Sequence, residues 1–61
     1  MKLKTERLGV IAVESEYGVR IGRFVQELTN VPYAFYPEPD QGFDEKMLYE
    51  VLAWLKNTNA K

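Results

Sequence analysis

Val19-Arg20-Ile21-Gly22-Arg23-Phe24-Val25-Gln26-Glu27-Leu28 is the stretch whose conformation decides the fold. At helical spacing, Ile21, Phe24, Val25 and Leu28 fall on one stripe at i, i+3, i+4 and i+7, and Asn30 followed by Pro32 supplies a stop. As a strand, the same residues are β-branched and aromatic, and Gly22 marks a bulge or a close approach. Gly18 and Gly22 together cost a helix about 2 kcal/mol relative to alanine. Periodicity favours helix, composition and the paired turns favour strand, and both readings stand on these residues alone.

On either side the elements are clearer. Arg7–Glu14 (RLGVIAVE) is short, β-branched and followed by the turn residues Glu16-Tyr17-Gly18, so it reads as a strand. Val31–Tyr36 (VPYAFY) is aromatic-rich and closed by Pro37, and reads as another strand with Pro32 at its start or on an edge. The spacing predicts a helix over 44–57. Asp44 is the N-cap, Asp44 and Glu45 place negative charge in the first turn, and Lys56 lies in the last. Phe43 before the cap has the spacing of a hydrophobic staple to Leu48. At 100° per residue, Leu48, Val51, Leu52 and Leu55 fill an arc of about 100° and are expected to face the sheet. Met47 and Trp54 fall at its edge and are expected to form a ridge beside the core. One domain spans 1–61, with 1–6 and 58–61 expected to fray.

A further guide is a resemblance. Ile21-Gly22-Arg23-Phe24, Tyr33-Ala34-Phe35-Tyr36-Pro37, Gly42-Phe43 and Leu48 through Leu55 resemble a group of small uncharacterised phage and prophage proteins. Their pattern is an I-G-x-F strand, an aromatic strand ending in Trp or Tyr and Pro, a G-G-F-W turn and a C-terminal L-x-x-I-A-x-x-L helix. Here Gln41-Gly42-Phe43-Asp44 stands where that turn would be, and Leu48–Leu55 is similar but not identical to the helix motif. The resemblance implies a strand at 19–28 and a viral or prophage origin, and carries no activity. The expected fold is therefore α+β, a three-stranded antiparallel sheet packed against one C-terminal helix (β-β-β-α), with β-α-β-α as the alternative.

Composition limits function. The 61 residues contain no Cys and no His, which excludes disulfides, thiolate metal sites and the usual zinc sites. Eight Lys/Arg against nine Asp/Glu give a net charge of −1, with no general attraction to nucleic acid. No apolar run is long enough to cross a membrane, and a cytoplasmic location is the default.

Catalytic groupings are equally sparse. Ser15 is the only serine and has no histidine base. Glu14 and Glu16 read as a solvated charge pair beside a turn. Glu38, Asp40, Asp44 and Glu45 read as a turn followed by a charged helix start, since their spacing fits no calcium loop. No glycine-rich phosphate loop is present, and neither an enzyme nor a cofactor is expected. The excess is aromatic: Tyr17, Phe24, Tyr33, Phe35, Tyr36, Phe43, Tyr49 and Trp54 are more than one helix over three short strands can hide. Met47, Trp54, Tyr33 and Tyr36 are therefore the expected interface to a protein partner or to a second copy. The alternative is a nucleic-acid contact through Arg20 and Arg23 on the open sheet face. It is weakened because residues three apart on a regular strand point to opposite sides.

Overall fold

The computed structural model describes residues 1–60. Four strands, β1 (Lys2–Arg7), β2 (Val10–Glu14), β3 (Arg20–Val25) and β4 (Ala34–Pro37), precede one helix, α1 (Glu45–Asn59). The strands form an antiparallel meander in the order β1-β2-β3-β4. The class is α+β, with one strand more than the three expected.

The ambiguous stretch is strand, which removes the β-α-β-α alternative. Gly22 is required there. A Cβ on it would lie 2.6 Å from Phe35 Cζ and 2.6 Å from the Tyr36 carbonyl oxygen on the neighbouring strand. Gly22 also adjoins a bulge: Val13 opposes Gly22 but Glu14 opposes Arg20, so Ile21 is the extra residue. Ile21 is thereby turned into the core, where it is fully buried.

The additional strand is β1, in a segment expected to fray. It is continuous over Lys2–Arg7 and pairs with β2, with a bulge between Thr5 and Arg7. All six residues are exposed, so the stretch has none of the apolar alternation that betrays a half-buried strand. Arg7 belongs to β1 and not to β2, because Leu8 and Gly9 form a two-residue hairpin turn between Arg7 and Val10. Gly9 has φ +80°, and a Cβ there would sit 2.6 Å from the Gln26 carbonyl oxygen. The last strand is shorter than expected, Ala34–Pro37, and occupies the far edge, where a proline is tolerated.

The sheet has one covered face. Register places Thr5, Ile11, Phe24 and Phe35 in one row, and Leu3, Val13, Gly22 and Pro37 in the next. α1 packs on this face through a cluster of Val13, Ile21, Phe24 and Val51, joined by Ile11, Phe35, Phe43, Met47, Trp54 and Leu55. A chain of rings holds helix to sheet. Trp54 stacks on Phe24 with centroids 3.9 Å apart, and Tyr33 meets Trp54 edge-on at 5.2 Å. Phe24 packs on Phe35 at 5.3 Å, and Phe35 on Phe43 at 5.7 Å.

That stacking corrects the expected rotation of the helix. Met47 and Trp54, expected as a ridge beside the core, pack against it with Val51 and Leu55. Leu48 and Leu52, expected to face the sheet, are each 56% exposed. The cap is as read: Asp44 accepts a 2.8 Å hydrogen bond from the Met47 amide. The far end is longer than expected, with Thr58 and Asn59 in helix. The Asn59 side chain is tied to the backbone of Tyr33, accepting from its amide at 2.9 Å and donating to its carbonyl at 3.1 Å. Lys61, part of the expected frayed tail, lies outside the described residues.

Candidate interaction surfaces

Apart from the turn and loop residues Leu8, Tyr17, Val19, Leu28 and Val31, which are also exposed, two surfaces lie on the regular elements: the sheet face away from α1 and the outer flank of the helix.

On the sheet, register places Lys2, Lys4 and Arg7 of β1 beside Glu14, Ala12 and Val10 of β2. Arg20, Arg23 and Val25 of β3 continue these rows, and Tyr36 and Ala34 of β4 complete them. Arg20 and Arg23 thus share a face, against the expectation for residues three apart, because the Ile21 bulge inserts one residue between them. Lys2, Lys4, Arg7, Arg20 and Arg23 are five of the chain's eight Lys and Arg. Val10 and Ala12 lie on this face and are still only 8% and 4% exposed. No helix covers them; in register, Lys4 and Arg23 stand beside Ala12 and Arg7 beside Val10, side chains whose long stems can lie on apolar surface.

Of these five basic residues, only Arg20 has an ion-pair partner among the described residues. Arg20 forms a fork to Glu6, at 3.0 and 3.2 Å, and its Nε donates to Glu38 at 3.0 Å. These are the partners of Arg20, in place of Glu14, which stands opposite it in register. The fork holds the Glu6 carboxyl below its ordinary value, with the Arg20 hydrogen bond as the main cause. Tyr36 donates its hydroxyl to Glu27 at 3.1 Å, and that bond to a carboxylate raises the phenol's pKa. Glu6, Arg7, Val10, Arg23, Val25, Glu27 and Tyr36 surround a hollow on this face.

The helix flank is different in kind. Leu48 and Leu52, both 56% exposed, stand one turn apart, and Tyr49 beside them is 72% exposed. Periodicity had marked the leucines as apolar stripe, and only the docking of Trp54 on Phe24 shows that they face outward. Of the four expected interface residues, Met47, Trp54 and Tyr33 are therefore spent in packing, and Tyr36 alone is exposed, on the opposite side of the molecule.

The remaining polar candidates have structural duties. Ser15 Oγ accepts from the amides of Tyr17 and Val19 at 3.2 and 3.3 Å, so it shapes the β2–β3 turn. β2 ends at Glu14, and Glu16 beyond it pairs with Lys46 at 3.6 Å, so these carboxylates do not continue along one strand face. Glu38 is engaged by Arg20, Asp40 occupies a turn at φ +63°, and Asp44 caps the helix. Among the described residues no three Asp or Glu side chains converge as metal ligands, and no helix is long and apolar enough to cross a membrane.

The fold and its surfaces define a small α+β domain, a four-stranded antiparallel meander with one C-terminal helix. Comparison with known proteins finds no matching family model, no matching curated protein and no matching solved structure.

Proposed function

We propose that this chain is a small non-enzymatic interaction domain that binds a protein surface through the outer flank of α1. The supporting observation is the outward apolar group Leu48, Tyr49 and Leu52 on a helix whose other side is already committed to the sheet. Solvent-exposed leucines one turn apart beside a tyrosine are the composition of a helix-in-groove or helix-on-helix contact. A phage or prophage origin and a cytoplasmic site of action belong to this reading, the former supported by the motif run between Ile21 and Leu55. Affinity capture with quantitative mass spectrometry tests it: a partner held by the parent should be lost with Leu48→Asp and Leu52→Asp and kept with Tyr36→Ser. Loss with Tyr36→Ser instead would move the contact to the sheet.

A second reading has its own support. The Ile21 bulge gathers Arg20 and Arg23 with Lys2, Lys4 and Arg7 on one face, beside Tyr36, where a nucleic-acid backbone could lie. Glu6 and Glu38 on Arg20, and Glu27 on Tyr36, weigh against it. Binding of this kind weakens steeply with salt, whereas an apolar helix contact does not.

A further inference from the structure

The exposed flank of α1 has a symmetry of its own. Glu45, Tyr49, Leu52 and Lys56 are spaced 4-3-4 and fall within an arc of about 60° on the outer side of the helix. All four are exposed. The acid stands at one end of the row, the base at the other, and the apolar pair lies between. Neither Glu45 nor Lys56 has an ion-pair partner among the described residues.

We propose that the occupant of this flank is a second copy of the same chain, with the two α1 helices packed antiparallel about a two-fold axis between Glu50 and Val51. Reversing the helix about that point sets Tyr49 against the partner's Leu52 and Glu45 against the partner's Lys56. Each contact occurs twice, as a two-fold interface requires. The parallel arrangement loses this match, because it places Glu45 beside Glu45 and Lys56 beside Lys56. Antiparallel packing also sets each helix N-terminus beside the partner's C-terminus, so the helix dipoles add to the charge match. The 15-residue helix is about 22 Å long, which permits three to four layers of side chains and so an interface at the small, reversible end of the range.

This inference rests on the reading of the α1 flank as the contact surface, and its test separates the two. Sedimentation equilibrium from 10 μM to 1 mM should show the mean mass rising from 7.1 kDa toward twice that value. Glu45→Lys and Lys56→Glu, each checked for a native circular dichroism spectrum, should weaken self-association tenfold or more. Each places like charges together at both ends of the interface. The two variants mixed should associate with each other at least as well as the parent does with itself, because every end contact is then opposite in sign. The double variant carrying both changes should likewise regain self-association. A parent that stays monomeric at 1 mM, or a mixture no more associated than its components, overturns the antiparallel pair while leaving a different protein as partner. A dimer indifferent to these charges and to Leu52→Asp overturns both the pair and the reading of the flank.

Discussion

Replacing Gly22 by alanine should destabilise the domain, although the same change in an open strand does the reverse. Where a strand has room, alanine is favoured over glycine by about 0.5–1 kcal/mol, because the unfolded chain has less freedom to lose. At Gly22 the added methyl would lie 2.6 Å from Phe35 Cζ and 2.6 Å from the Tyr36 carbonyl oxygen. A ring can swing aside. The carbonyl belongs to the β4 backbone, in register with β3, and can retreat only if the strands part. Forced overpacking of this sort costs about 1–3 kcal/mol. A chain of this length has about 3–9 kcal/mol of total stability, so the loss is a large fraction of it. The melting temperature should fall by about 4–8 °C for each kcal/mol lost. Urea denaturation followed by circular dichroism measures the change, with Trp54, the single tryptophan, as a second probe against Phe24. Phe35→Leu in the Gly22→Ala background should recover part of the loss, the part due to the ring. An alanine variant as stable as the parent, or more so, would refute the close approach of β4 to β3.

Four other outcomes follow from particular contacts. Trp54→Ala should cost about 3–5 kcal/mol and Leu52→Ala less than about 1 kcal/mol, by chemical denaturation; the opposite order would return the helix to the rotation its periodicity suggested. Asn59→Leu removes two hydrogen bonds to Tyr33, each contributing about 0.5–1.5 kcal/mol, and should speed hydrogen exchange in the last turn of α1 before it alters β2. Because Arg20 lowers the folded-state pKa of Glu6, its contribution is present above the ordinary carboxylate range and lost as pH falls through the lowered value. Arg20→Gln should flatten that acid limb of the stability curve. Because Glu27 raises the pKa of Tyr36, that contribution is present below the ordinary tyrosine range and lost as pH rises through the raised value. In an ultraviolet titration Glu27→Gln should bring one phenol down in pH.

What could be read from the sequence was local chemistry. The Asp44 cap and the Gly22 bulge or close approach each depend on a few neighbouring residues, and each is where the residue types placed it, whereas Pro32, expected at the start or edge of a strand, lies outside β4. β1 was hidden because Lys2-Leu3-Lys4-Thr5-Glu6-Arg7 contains no fully buried residue. An edge strand held by backbone pairing and long polar side chains has no hydrophobic period to find. The helix orientation was hidden for the opposite reason. Its apolar arc from Met47 and Trp54 to Leu48 and Leu52 is wider than one sheet face can cover, so the pattern does not say which end docks. The choice is made at long range, by Trp54 finding the face of Phe24. The candidate surfaces inherit both gaps. Leu48 and Leu52 were assigned to the core because Trp54 was not, and Arg20 and Arg23 were assigned to opposite faces because one inserted residue reverses the alternation.

The two ends of the sheet bear on how this protein behaves when concentrated or heated. An unpaired strand edge is a template for endless growth, and β1 and β4 both present one. β1 carries Lys2, Lys4, Glu6 and Arg7 along a bulged strand, so a second copy approaching it meets charge and a bend. β4 is four residues long, ends in Pro37 and is followed by Pro39, which leaves little straight backbone to extend. The apolar run from Val10 to Val13 lies in the interior strand β2 and is paired on both sides. Fibril formation therefore has to wait for global unfolding, and its rate should track the unfolded population, rising steeply near the melting temperature and staying slow in concentrated native stocks.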